Sequence, residues 1–282
     1  MNIYLAGGVS GNLFPLWKEI ANGGGTQMNI YLAGEHSVRN GRDALKLNGG
    51  GQLILESFYY CRKNDVIIKL LPRFESFMLD SGAFTFMQGA NSETIDWDGY
   101  TEEYAEWINT NKIDLFFELD IDSIVGLKEV ERLRAKLEQL TGKQPIPVWH
   151  INRGKEYFER MIKEYKYVAL GGIVGAKKGT EIYKKYQSVF PWFIREAHNA
   201  GTKIHGLGFT SLEGVKKYPF DSVDSTAWLY GNRGGYLYKF NEITGEMGKI
   251  RAPEGYRLKS RDAALWNFNE WIKFQEYAKK HL

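Results

Sequence analysis

Short apolar runs and longer amphipathic stretches take turns along most of this chain. The runs are FMLDSGAF (77–84), DLFFELDID (114–122), IPVWH (146–150), YVALGGIV (167–174), KIHGLGF (203–209) and FDSVDS (220–225). Apart from FDSVDS, which holds only two apolar residues, they carry adjacent apolar positions rather than a strict alternation, and all six read as parallel strands buried on both faces. Helical periodicity fills the intervals at 98–111, 127–141, 155–165, 180–200 and 211–217, with charges on one face and Trp, Tyr, Leu or Ile on the other. The resulting βα alternation predicts an α/β fold with a parallel sheet. The stretch 229–260 is rich in Gly, Tyr and basic residues and has no helical period, which predicts a long loop or a hairpin around Ile243 to Lys249. An amphipathic helix over 261–280 is expected to close the fold.

MNIYLAG occurs at Met1 to Gly7 and again at Met28 to Gly34, each copy reading as a short buried strand before a Gly-containing turn. Two copies are too few for a solenoid. Added to the six runs above they make eight candidate strands, the number that closes a filled (β/α)8 barrel, although a doubly wound open sheet fits the same alternation. The length of 282 residues suits one such barrel, so residues 1–282 are read as a single domain.

Charge changes this picture little. With 37 Lys and Arg against 34 Asp and Glu the formal net charge is +3, far below that of a protein held to nucleic acid by counterion release alone. The single cysteine, Cys61, excludes a disulfide framework and any zinc site built on several thiolates. No apolar run has the length of a membrane span and the N-terminus lacks a signal-peptide pattern, so an intracellular, cytoplasmic protein is expected.

In a parallel barrel the chemistry gathers at the carboxyl ends of the strands. Here those ends supply Asp80; Asp120 and Asp122; His150; Gly171 and Gly172; His205 and Gly206; and Asp221 and Asp224. Carboxylates converging on one mouth suit acid, base and nucleophilic work at an acetal-like carbon, where one is ionised and another protonated. Each alone could equally be a helix cap. Ser81 and Gly82 after Asp80 allow a sharp turn that presents N–H groups to a ligand. Gly171 and Gly172 read as close approach of backbone to a ligand or to another strand. His150 and His205 could donate to a base, shuttle protons or sit satisfied in the core; scattered spacings form no metal motif, and no metal or cofactor is expected.

These residues resemble the tRNA-guanine transglycosylase superfamily, including relatives that insert 7-deazaguanine bases into DNA, over roughly 75–235. Asp80-Ser81-Gly82-Ala83-Phe84 is similar to the family's Asp-Ser-Gly-Gly-Phe, whose Asp lies in the base pocket with a proton-transfer role. The resemblance places the base-recognising Asp at Asp120 or Asp122, puts His150 where the family has a pocket Gln, and matches Gly171-Gly172 and His205-Gly206-Leu207-Gly208 to its glycine-bearing strand ends. The family's nucleophile lies in Phe-Asp-Cys-Val, similar to Phe220-Asp221-Ser222-Val223; Asp224, at the end of the same run, is the rival and the slightly favoured choice. Members that act on tRNA carry a zinc subdomain of three Cys and a His, which a chain with one cysteine cannot build. The phage-type DNA-modifying relatives are therefore the nearer resemblance. It implies replacement of guanine in DNA by a free 7-deazaguanine base through a covalent Asp-sugar intermediate, without a cofactor, with partner proteins possible and in the host cytoplasm if phage-encoded.

Arg39, Arg42, Lys177, Lys178, Arg233, Arg251 and Arg257 are candidates for phosphate contacts, Arg233 foremost, with aromatic residues of 228–238 supporting an unstacked base. The rival readings are a tRNA-acting enzyme, a nucleoside deoxyribosyltransferase suggested by the opening IYLAGG, a glycoside hydrolase, and a non-catalytic nucleic-acid-binding barrel.

Overall fold

A computed structural model describes residues 27–34, 39–48, 50–63, 65–82, 85–86, 95–172, 181–209, 211–256 and 258–282. The first MNIYLAG copy, Ala83, Phe84, Lys177, Lys178 and Arg257 lie outside these residues.

Eight strands form one parallel sheet: β1 (Asn29–Ala33), β2 (Leu53–Ser57), β3 (Ser76–Asp80), β4 (Leu115–Phe116), β5 (Val148–Trp149), β6 (Tyr167–Leu170), β7 (Lys203–Gly206) and β8 (Ser222–Ser225). From β1 to β4 and from β5 to β8 each strand pairs with the next in sequence, and β1 pairs with β8. The remaining seam, between β4 and β5, is sealed where Phe117 pairs with Ile146: Glu118 N–H donates to Ile146 O at 3.1 Å and Ile146 N–H to Phe116 O at 2.7 Å. The sheet is thus a closed (β/α)8-type barrel.

One barrel strand was not among those expected. The second MNIYLAG copy is β1, and β2 is Leu53–Ser57; the expectation of a strand in the first copy lies outside the described residues. The signal for β2 is three apolar residues after a glycine run, short enough to be masked by the repeat.

Continuous apolarity follows from burial on both faces. In β1, Tyr31 and Ala33 point into the barrel while Ile30 and Leu32 face the helices; in β2, Leu53 and Leu55 point in and Ile54 out. The helices flank the strands as α1 (Arg39–Asn48), α2 (Phe58–Cys61), α3 (Val66–Leu70), α4 (Trp97–Thr110), α5 (Asp122–Val125), α6 (Leu127–Thr141), α7 (Lys155–Glu164), α8 (Glu181–Asn199), α9 (Leu212–Lys217), α10 (Tyr230–Gly234) and α11 (Ser260–His281). Of these, α6 begins and ends where the periodicity predicts. The segment after β8 carries the expected hairpin, β9 (Tyr236–Asn241) against β10 (Glu246–Arg251). Buried Gln275 of α11 stitches the closing helix to the barrel by donating to Ile30 O and Leu53 O while accepting from Leu53 N–H.

Polar side chains are set among the apolar ones of the interior. Tyr31 bonds to Ser76 at 2.9 Å, and Tyr167, Ser222 and His205 form a hydrogen-bonded row. Buried polar groups are tolerated when each finds a partner. Among the described residues no helix is long and apolar enough to cross a membrane.

Candidate active site

The inward-facing register along each strand decides which polar side chains meet. Met78 points inward on β3, Val148 on β5, Ala169 on β6 and His205 with Ser222 on β7 and β8. Two residues further along, the same register brings Asp80, His150, Gly171 and Asp224 to the carboxyl end of the barrel.

Asp80 is the last residue of β3 and accepts the Gly82 N–H at 3.1 Å. Gly82 has φ +85°, and a Cβ there would stand 2.7 Å from Tyr59 Cβ, so only glycine makes this turn. Tyr100 fastens it by donating to Ser81 O at 2.7 Å. The Ser81 hydroxyl is buried and has no hydrogen-bond partner. Burial, joined by the negative charges of Asp224 and Asp120, raises the Asp80 carboxyl to about 7 against the opposing pull of the Gly82 N–H. The three carboxyls therefore share one mouth.

The raised value has a thermodynamic signature. The unfolded chain ionises Asp80 near pH 4, whereas the folded chain keeps the proton to about pH 7. Between those values the native state binds the extra proton, so this contribution to stability is present below pH 4 and is lost as pH rises toward 7. Asp80→Asn removes the loss. The variant is expected to match the wild type in thermal melts at pH 4 and to exceed it at pH 8, by up to about 4 kcal/mol; equal melts at both pH values would show Asp80 to titrate normally.

On the far side of the mouth Asp224 Oδ1 accepts from Gly208 N–H at 2.5 Å and from His205 Nε2 at 3.2 Å. His205 was expected to touch substrate. Instead its side chain is wholly enclosed beneath Asp224, with Nδ1 on Ser222. Gly206 is also corrected: a Cβ there would meet Val223, Phe209 and Phe220, so it serves packing outside the barrel wall.

Asp221 belongs to the opposite end of the barrel. It precedes β8 and accepts from Ile204 N–H at 2.8 Å and from His198 Nε2 at 2.9 Å, tying β7 to the end of α8. The three-residue advance from Asp221 to Asp224 crosses the height of a short strand, which takes Asp221 away from the mouth where Asp224 lies.

Asp120 and His150 form a pair at 2.5 Å. Burial works against a charged His150, but the hydrogen bond and charge of Asp120 outweigh it and raise its pKa. Gly171 leaves room for this ring: a Cβ would lie 2.5 Å from His150 Cε1 and 2.6 Å from Val148 Cγ1. Gly171→Ala is expected to displace His150 and raise KM about tenfold or more with a small change in kcat, because one pocket contact is lost and not the reacting groups. Unchanged KM would separate His150 from binding. Gly172 is exposed with φ +77° and turns the chain away.

Beneath this pair lies a charged network that the sequence reading missed. Glu118 is fully buried and accepts from Arg134 Nη1 at 2.9 Å, from Arg153 Nη1 at 2.7 Å and from Val148 N–H at 2.8 Å. Arg153 also lies 3.3 Å from Asp122 and 3.6 Å from Asp120. Asp122 opens α5; burial would raise its carboxyl, but Arg153 and His150 hold it below the usual range. A charge inside the run FFEL was the available signal, because a buried carboxylate requires cationic partners. Asp120, Asp122 and His150 also offer three ligand atoms within 4.8 Å of one another, enough for a metal ion, although the Arg153 guanidinium already lies 3.3 Å from Asp122 and 3.6 Å from Asp120.

Of the basic candidates, Arg39 opens α1 and Arg251 ends β10, both exposed; Arg42 lies within α1; Arg233 falls in α10, its side chain outside the described residues. A groove of about 1110 Å³ lies between the hairpin and the Ser211 to Lys216 segment, and none of the mouth carboxylates lines it.

Among solved structures, a protein assigned as a fructose-1,6-biphosphate aldolase from Coccidioides immitis superposes with a TM-score of 0.49 at 12% identity, covering 94% of this chain and 91% of its own. The carboxyl transferase domain of Rhizobium etli pyruvate carboxylase gives 0.47 at 12% identity over 99% of this chain and 53% of that one, so this chain spans about half its length. No family model and no curated protein matches the sequence.

Proposed function

We propose that this chain is an enzyme of base exchange, a transglycosylase that replaces guanine in DNA by a 7-deazaguanine derivative. The observation that carries the reading is the pairing of unlike carboxyls in one mouth: Asp80 keeps its proton up to about pH 7, while Asp224 is oriented by two N–H donors. Divergent environments for neighbouring acids mark an acid and a nucleophile.

In the first displacement a carboxylate oxygen of Asp224 bonds to C1′ as the C1′–N bond breaks, and the bonding pair leaves with guanine, which takes the Asp80 proton. In the second, the incoming base loses its proton to Asp80 and attacks C1′, and the ester bond to Asp224 breaks. Two inversions retain configuration. Asp120 and His150, locked together beside Asp80, present an acceptor and a donor to the edge of the base. DNA is favoured over tRNA because one cysteine cannot supply the zinc subdomain of the tRNA-acting enzymes that the sequence resembles.

The test is incorporation of radiolabelled guanine or a 7-deazaguanine into duplex DNA, single-stranded DNA, unmodified tRNA and free nucleosides. Label in DNA is expected. Label in tRNA alone would move the substrate while keeping the chemistry, and label in free nucleosides alone would make the enzyme a nucleoside transferase. With a protonated Asp80 required, the rate is expected to fall as pH rises past about 7.

A further inference from the structure

A row of side chains runs from the middle of the barrel to its mouth. Tyr167 Oη lies 2.5 Å from Ser222 Oγ, Ser222 Oγ lies 2.5 Å from His205 Nδ1, and His205 Nε2 lies 3.2 Å from Asp224 Oδ1. Three strands, β6, β7 and β8, contribute to it. The imidazole has no solvent exposure and is flanked by the rings of Tyr31 and Phe117. It cannot reach a substrate except through Asp224.

The direction of each hydrogen bond follows from chemistry. An ionised Asp224 only accepts, so His205 Nε2 carries the proton. A ring that carries its one proton on Nε2 accepts at Nδ1, and Ser222 then donates to it. Ser222 Oγ is left to accept from Tyr167, whose phenol is kept protonated because burial raises its pKa. Every donor in the row thus points toward the carboxylate.

We propose that His205 is a positioning residue for Asp224, its tautomer and ring plane set by the Ser222 and Tyr167 hydroxyls so that Asp224 Oδ1 is held and Oδ2 is left for the reacting carbon. This rests on the base-exchange reading. Both hydrogen bonds that the described residues make to Asp224 end on Oδ1, from Gly208 and His205. Two donors on one oxygen stop the carboxylate rotating, and no reorganisation is needed when its charge is consumed and restored. The arrangement resembles a base oriented by a third group, with the carboxylate here as the group oriented.

Two measurements test it. The ring nitrogen chemical shifts of His205, in protein labelled with 15N-histidine and assigned with His205→Gln, should report a proton on Nε2; protonation at Nδ1 alone would overturn the proposal. This result is independent of any substrate.

The second measurement is exchange kinetics with Asp224 intact. His205→Leu is expected to lower kcat by on the order of 10²-fold, the size of losing one preorganised donor, with KM within about twofold. His205→Gln, whose side-chain amide can place an N–H near the Nε2 position, should recover to within about tenfold of wild type. Ser222→Ala with Tyr167→Phe removes both hydroxyls without orphaning either and should fall between them. Wild-type kcat in His205→Leu would overturn the proposal, as would equal losses in the Leu and Gln variants, which indicate packing alone. If the wild type exchanges no base in any polymer or nucleoside, the base-exchange reading fails, and the nitrogen shifts still decide how His205 meets Asp224.

Discussion

Asp224→Asn is expected to abolish base exchange, with kcat falling by about 10⁴-fold or more, as when a group acting as the nucleophile is removed. The amide oxygen can still accept from Gly208 and His205, so the fold and the pocket are retained while the attacking oxygen is lost. Denaturing the wild type during turnover with labelled polynucleotide should trap a protein-bound strand, and the Asn variant should trap none. Asp221→Asn is the control. Its side chain ties β7 to α8 at the other end of the barrel, so the substitution should cost about 1–2 kcal/mol of stability and leave kcat within a few-fold of wild type. The reverse result, an inactive Asp221 variant beside an active Asp224 variant, would return the nucleophile to Asp221.

The largest expected effect on stability belongs to Glu118. This one carboxylate accepts from Arg134 Nη1, Arg153 Nη1 and the Val148 N–H inside the barrel wall. Glu118→Gln preserves the shape and removes the charge, leaving two buried guanidinium groups facing a neutral amide. Breaking a buried ion pair on one side costs about 3–5 kcal/mol, which for a chain of this size lowers Tm by on the order of 10 °C. A second effect follows through Arg153, which stands against Asp120 and Asp122. Freed from Glu118, it can move toward those acids and disturb the Asp120–His150 pair, so KM should rise in the fraction that remains folded. A Glu118→Gln protein that melts like the wild type would show that the network is solvated in solution.

Several parts of this molecule were legible before any coordinates. Continuous apolar runs separated by amphipathic stretches specify buried parallel strands and their covering helices, because hydrophobic burial at fixed periodicity is a local property. Asp80, Asp120, His150 and Asp224 could be nominated for the same reason: each follows an apolar run, and strand ends of a parallel barrel share one mouth.

Only the tertiary structure could decide what depends on register and on contacts distant in sequence. Asp221 and Asp224 are three residues apart in one polar cluster, yet the span of β8 places them at opposite ends of the barrel. His205 follows an apolar run as His150 does, but inward parity one step below the mouth makes it a support for Asp224, whereas His150 reaches the opening. The place of Leu53–Ser57 in the barrel rests on pairing with β1 and β3. Glu118 and its two arginines come from segments 16 and 35 residues apart, so the need for partners was visible in the sequence and their identity was not. The sequence by itself determined the alternation of elements and the acids at their ends; burial, pairing and the height of each side chain in the barrel decided which of them meet at one mouth.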